Sequence, residues 1–178
     1  MVNVYLAEGF EEVEAITVID MLRRAQIEVT TVSIGEKTVT GAHNIKVEAD
    51  VLLGNEPVCE MIFLPGGMPG VTNLYACEPL REKLIAHNGE NKYVAAICAA
   101  PMILGKLGIL KDRKAVCYPG FEEYFEGGTP LYDNVCVDGN VITSRGAGTA
   151  LEFSYKIISI LKDEATASEI KKGIIDNR

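Results

Sequence analysis

The sequence predicts one α/β domain over residues 1–178, built on a mainly parallel sheet with a small antiparallel hairpin. Three observations predict it. Short β-branched runs alternate with helical patterns from end to end, which implies βαβ units with right-handed crossovers. No internal repeat, low-complexity tract or Pro/Ser-rich linker divides the chain. Hydrophobic residues make up 48% and charged residues 24%, an ordinary globular balance, and 178 residues can bury a core without disulfide or metal staples.

The elements follow in order. Val2 to Ala7 is a buried strand, ended by the loop at Glu8-Gly9. Glu11 to Ala25 is helical, with apolar Ala15, Val18, Ile19, Met21, Leu22 and Ala25 at helical spacing. Glu28 to Ser33 is a strand, and Thr38 to Thr40 with Ile45 to Glu48 form the hairpin around Gly41-Ala42-His43-Asn44. Met61 to Leu64 is a buried strand stopped by Pro65-Gly66-Gly67. Leu80 to His87 is a helix, Tyr93 to Ile97 a strand, Pro101 to Leu107 a helix and Ala115 to Cys117 a strand. Val135 to Asp138 pairs with Val141 to Thr143 around Gly139-Asn140. Thr149 to Leu161 is a strong helix and Ala165 to Lys171 a final one. Ligands of such sheets gather at the carboxyl ends of the strands, so the segments just after strands are where function is sought.

Charge and composition exclude several functions. A net charge of −8 argues against a binder of nucleic-acid phosphates and against anionic membranes. The longest apolar stretch, Val94 to Leu104, contains Pro101 and falls short of the roughly 18 residues a spanning helix needs. The start, Met1-Val2-Asn3-Val4-Tyr5-Leu6, has no basic segment and turns acidic at Glu8, so no signal peptide is expected and the location expected is cytoplasmic. Cysteines at 59, 77, 98, 117 and 136 form no Cys-x-x-Cys motif and read as free thiols in a reducing compartment. With His43 and His87 the only histidines, a multi-histidine metal site is excluded, and bases that could activate a nucleophile are few.

Four segments could carry chemistry. In Ala95-Ala96-Ile97-Cys98-Ala99-Ala100-Pro101, a cysteine stands between a buried strand and a helix start. A reactive side chain on so tight a turn needs small neighbours, and Ala96 and Ala100 occupy the flanking positions that glycines fill in a nucleophile elbow. A thiol there faces unpaired amides and the positive end of the helix dipole, both favouring thiolate. A buried structural cysteine is the alternative. Glu14 shares a helical stripe with Val18, Met21 and Ala25, so its carboxyl points toward the core, whereas Glu12, Asp20 and Arg23 fall on the polar side. Burial there would raise its pKa and let it donate a hydrogen bond to a thiolate; at the stripe's edge it would reach solvent or favour the helix N-terminus electrostatically. Gly66 and Gly67 would let backbone amides approach a ligand as an oxyanion hole, or simply form a tight turn. Ser144-Arg145-Gly146-Ala147-Gly148-Thr149 leads into a helix and could cradle an anion, or be small for close loop packing.

Taken together, Glu8-Gly9-Phe10-Glu11-Glu12-Val13-Glu14, Leu64-Pro65-Gly66-Gly67, the Cys98 segment and Thr143-Ser144-Arg145-Gly146-Ala147-Gly148-Thr149 resemble the DJ-1/ThiJ/PfpI superfamily, in its parkinsonism-associated and YajL-like branch. The resemblance covers nearly the whole chain, with four motifs in order. It implies a flavodoxin-like three-layer sandwich, usually homodimeric. Position by position it makes Cys98 the nucleophile, Glu14 the acid that hydrogen-bonds it, and Gly67 and Ala99 the donors of oxyanion-hole amides. Two departures stand out. Peptidase-type members carry His where this chain has Ala99, which lowers the peptidase reading. The parkinsonism branch often carries His where this chain has Tyr118, and a phenol is a poor base at neutral pH though it can donate or relay a hydrogen bond. His43 and His87 match no catalytic position, so helix amides and Glu14 must activate Cys98. Tyr118 and Arg145 remain auxiliary candidates.

The resemblance implies two functions. As an enzyme, the protein would use a Cys98 thiolate to convert α-oxoaldehydes to 2-hydroxy acids, with Glu14 shuttling protons and no metal or organic cofactor, or would release glycated adducts from amines. As a redox sensor or chaperone, it would respond through oxidation of Cys98 to sulfinate.

Overall fold

The computed structural model describes residues 1–177. Its main sheet has seven strands in the order β10-β11-β7-β6-β1-β2-β5. These are β1 (Val2–Leu6), β2 (Val29–Ser33), β5 (Val51–Leu52), β6 (Met61–Leu64), β7 (Tyr93–Ile97), β10 (Val135–Asp138) and β11 (Val141–Ser144). Every pairing is parallel except β10 with β11 at one edge. The predicted hairpin is β3 (Thr38–Thr40) with β4 (Lys46–Glu48), antiparallel.

Burial on both faces explains the sequence pattern. Tyr5, Ile62, Leu64, Val94 and Ala96 point into one core layer, while Val4, Leu6, Met61, Phe63, Ala95 and Ile97 point into the other. Adjacent residues alternate faces, and because both faces are covered the strands read as continuous apolar runs. The first layer is closed by α2 (Gly70–Ala76), α3 (Glu78–Gly89) and α4 (Pro101–Lys106), through Val71, Leu74, Leu80, Leu84 and Ile103. The second is closed by α1 (Glu12–Arg24), α5 (Ala150–Leu161) and α6 (Glu164–Gly173), where Val18 and Leu22 meet Phe153 and Ile157. Three layers and this strand order make the fold flavodoxin-like. No helix among the described residues is long and apolar enough to cross a membrane.

Four local differences from the sequence reading have physical causes. Glu11 is the cap of α1 and not its first turn: its backbone is extended and its carboxylate accepts from the Glu14 amide at 2.7 Å. The helix α2 is short and lacks the apolar periodicity that marks longer ones, and the two-residue β5 is equally unmarked. Lys114–Ala115 (β8) pairs with Thr129–Pro130 (β9) outside the main sheet, so the strand expected through Cys117 stops early. There the Val116 amide turns to the Thr143 hydroxyl at 2.9 Å. Glu12, expected on the polar side of α1, is 5% exposed. The β3–β4 turn lies over it: Glu12 accepts from the His43 amide at 2.7 Å and meets His43 Nδ1 at 2.9 Å.

Strand order also locates the site. From β1 the chain moves to β2 and β5 on one side, then returns to β6 and β7 on the other, so the order reverses between β1 and β6. The loops leaving those strands diverge and open a crevice at their carboxyl ends.

Candidate functional site

Cys98 follows directly on β7, at φ +64°. A non-glycine residue in the left-handed region carries about 1–2 kcal/mol of strain. The turn is held from three sides: the Cys98 amide donates to the Ser144 carbonyl at 3.0 Å, the Tyr118 amide to the Cys98 carbonyl at 2.8 Å, and the Ala100 amide to the Ile97 carbonyl at 3.0 Å. Ala99 and Ala100 are buried, and Pro101 opens α4 where its missing N–H costs nothing. The small residues therefore permit a sharp strand-to-helix turn with Cys98 at its tip, partly exposed.

Glu14 reaches this tip from α1. The Glu11 amide donates to the Gly66 carbonyl at 2.9 Å, tying the cap of α1 to the loop after β6. The Gly66 amide in turn donates to Glu14 Oε2 at 2.8 Å, and Glu14 is 1% exposed. Its carboxyl and the Cys98 thiol are hydrogen-bond partners. Gly66 is a requirement of close approach: a Cβ there would lie 2.5 Å from Glu14 Oε2 and 2.6 Å from Cys98 Cβ. Gly67, at φ +92°, meets the second need of the same loop, a backbone conformation that side chains disfavour. Gly66→Ala is accordingly expected to destabilise by about 1–3 kcal/mol and to separate Glu14 from Cys98. Thermal denaturation alongside thiol alkylation checks both effects, and an unchanged melting temperature would contradict the geometry.

Electrostatics couple the two groups. Burial, opposed by hydrogen bonds from Cys98 and from the Gly66 and Ala147 amides, pushes Glu14 up to about 7. Burial and the Glu14 charge push the Cys98 thiol up, while the Ala99 and Gly67 amides pull it down. This corrects the sequence expectation of a thiol lowered by its helix. The helix α4 spans only Pro101–Lys106, and burial together with the carboxylate beside the thiol outweighs the amides. The two groups are close enough for the charge of each to bear on the protonation of the other.

The other sequence candidates divide. Gly66, Gly67 and Ala99 lie at the Cys98–Glu14 pair, and Tyr118 stands on its rim, 52% exposed. Arg145 is turned away, its Nη1 donating to the Tyr132 carbonyl at 3.1 Å. The segment Ser144–Thr149 satisfies itself: Thr149 Oγ1 bonds Gly146 N, Gly146 O and Ser144 Oγ at 2.7–3.1 Å, while a Cβ on Gly148 would meet nothing within 4 Å, so close packing does not explain its glycines. Gly146 and Ala147 belong to the segment expected to cradle an anion; Gly146 borders the thiol and the Ala147 amide faces Glu14. His87 is buried in the last turn of α3, lining a separate cavity of about 170 Å³ with Asn3 and Cys59. Among the described residues, Glu11, Glu12 and His43 are the one group whose ligand atoms could converge on a metal ion. Glu12 already uses both oxygens on His43, which makes the group a clamp for the hairpin.

The model of the DJ-1/PfpI family matches residues 1–160. The chain belongs to the DJ-1/PfpI family. Among its relatives, Protein DJ-1 homolog B of Arabidopsis thaliana is 37% identical over 175 residues, covering 96% of this chain and 40% of that protein. The chain thus spans less than half the length of that relative. Glutathione-independent glyoxalase DJR-1.2 of Caenorhabditis elegans is 33% identical over 170 residues, covering 94% of this chain and 91% of that one. In structure, oxidized Toxoplasma gondii DJ-1 matches with a TM-score of 0.94 at 35% identity, covering 99% of this chain and 98% of the other. A DJ-1/PfpI fold places the β1–β6 crevice, and with it the Cys98–Glu14 pair, where ligands bind in such sheets.

Proposed function

We propose that the protein converts α-oxoaldehydes to 2-hydroxy acids without glutathione, and that it attacks glycated adducts on amines by the same route. The carrying observation is Glu14, held by the Gly66 amide against Cys98 and pushed up to about 7. A base is most effective when its pKa lies near the working pH. Glu14 takes the thiol proton as Sγ bonds the aldehyde carbon. The oxygen so formed faces the Gly67 and Ala99 amides and is protonated, giving a hemithioacetal. Glu14, having given the thiol proton to that oxygen, then removes the hydrogen from that carbon and returns it to the neighbouring ketone carbon, while the hydroxyl proton passes from the first oxygen to the ketone oxygen. The first carbon is oxidised to a thioester as the second is reduced to a carbinol, so no outside oxidant is needed. Water cleaves the thioester, releases lactate from methylglyoxal or glycolate from glyoxal, and restores the thiol. The name of the worm relative supports this chemistry, and Ala99 in place of a histidine speaks against a peptidase. The test is lactate formation from methylglyoxal without glutathione; a wild-type protein that forms none overturns the proposal.

A second reading draws on the same amides. A Cys98 sulfinate would accept from Gly67 and Ala99 and from protonated Glu14. Selective gain of two oxygens on Cys98 under mild peroxide, without turnover, would favour a sensor or chaperone.

We assign the reaction to a cytoplasmic homodimer. Val13 and Ile16 on α1 and Ile45 at the hairpin are 52%, 41% and 55% exposed, an apolar group on neighbouring elements that a second copy would cover. Sedimentation is expected to show a dimer that Ile16→Glu weakens; a wild-type monomer would contradict it.

A further inference from the structure

We propose that Tyr118 determines specificity at the Cys98 site, its ring forming an apolar wall that receives the substituent of the α-oxoaldehyde and favours aromatic substituents over methyl. The inference rests on the glyoxalase reading and adds the substrate class. Its basis is the space beside Gly146. A Cβ built on that residue would lie 3.5 Å from Tyr118 Cδ2, 3.8 Å from Glu14 Oε1 and 4.0 Å from Cys98 Sγ. One small region therefore touches the ring, the acid and the sulfur at ordinary contact distance, and no side chain fills it.

The ring is braced. Phe121 stands edge-on to Tyr118 with centroids 6.4 Å apart, and Tyr124 backs Phe121 at 6.0 Å. The Tyr124 carbonyl packs on Gly105 of α4, 2.0 Å from where a Cβ would stand, so the aromatic row is pressed against the same short helix that follows Cys98. The Tyr118 amide is bonded to the Cys98 carbonyl, which ties the loop that carries the ring to the turn that carries the thiol. About half of Tyr118 nevertheless remains exposed, and its hydroxyl has no hydrogen-bond partner among the described residues.

Charge around the thiol narrows the substituent further. Gly66, Gly67, Ala99, Gly146 and Ala147 are uncharged, Glu14 is acidic, and the guanidinium of Arg145 is directed to Tyr132. Among the described residues, no cation faces the thiol to hold a carboxylate or phosphate on the substituent. A flat apolar group against the ring is what the surroundings accept, since aromatic pairs gain beyond their buried area.

The experiment compares kcat/KM for phenylglyoxal and methylglyoxal in wild type, Tyr118→Phe and Tyr118→Ala. The preference for phenylglyoxal is expected to survive in Tyr118→Phe and to fall roughly 3- to 10-fold in Tyr118→Ala. In parallel, the rates of Cys98 alkylation by phenacyl bromide and bromoacetone are measured by mass spectrometry in the same three proteins, and their ratio is expected to follow the same order. Alkylation needs only the thiol and the wall. If the wild type turns over neither aldehyde, the glyoxalase reading fails while the alkylation ratio still decides the wall. An alkylation ratio unchanged in Tyr118→Ala, or lost equally in Tyr118→Phe, overturns the inference.

Discussion

Cys98→Ala is expected to abolish lactate formation from methylglyoxal, by a factor on the order of 10³ or more, because the proposed covalent route has no other nucleophile to fall back on. Among the remaining thiols, Cys59, Cys117 and Cys136 are buried, and burial pushes all three up, Cys117 to about 12. Among the described residues, none of these three is hydrogen-bonded to a carboxylate. The substitution isolates the sulfur. Alanine keeps the Cβ that packs against Gly66, and its left-handed strain equals that of cysteine, so the turn at φ +64° is expected to persist. Lactate measured at matched protein concentration, with circular dichroism to verify folding, decides the point. Undiminished turnover in a folded Cys98→Ala protein would exclude Sγ as the attacking atom.

Glu14→Gln tests the other half of the pair and has two opposite effects. Turnover is expected to fall about 10²- to 10⁴-fold, the usual worth of a positioned acid–base group, since an amide accepts the Gly66 hydrogen bond but moves no proton. Stability is expected to move the other way. The Glu14 carboxyl sits near 7 in the folded protein, above its ordinary 4.5, so the folded state holds the proton more tightly than the unfolded chain. That contribution is fully present below about 4.5 and is lost as pH rises through about 7. Glutamine does not titrate, so at pH 8 the variant should gain on the order of 3 kcal/mol relative to its standing at pH 4, from a shift of 4.5 to about 7. Urea midpoints of both proteins at the two pH values measure it. An equal difference at both pH values would mean that Glu14 is not the buried titrating group. The same pair sets the activity profile of the wild type. Turnover should rise with pH through about 7, as Glu14 becomes free to accept the thiol proton.

Much of this architecture is legible in the chain itself. The runs Val2–Leu6, Met61–Leu64 and Tyr93–Ile97 are apolar because both sheet faces are covered, and that continuity with intervening helical periods is enough to predict a parallel sheet. Cys98 is legible because a side chain on a tight turn demands small neighbours at fixed positions. Glu14 is legible because a carboxyl in an apolar stripe must find a partner. Elements of two or three residues, such as β5 and β8, leave no period to detect.

What the sequence by itself determined is the α/β class, the sheet's parallel habit and the candidate residues at strand ends, since each follows from local sterics or from the spacing of apolar positions. What only the tertiary structure decided is which of those ends meet. The reversal of strand order between β1 and β6 brings Glu14, Gly66 and Cys98 together from three separate segments, and turns Arg145 toward Tyr132 instead. It also decided that the hairpin buries Glu12, and that burial and the neighbouring carboxylate raise the thiol more than the Ala99 and Gly67 amides lower it. The physical reason is common to all of these. Burial, and the distance between charges far apart in the chain, are properties of packed elements, and no local pattern contains them.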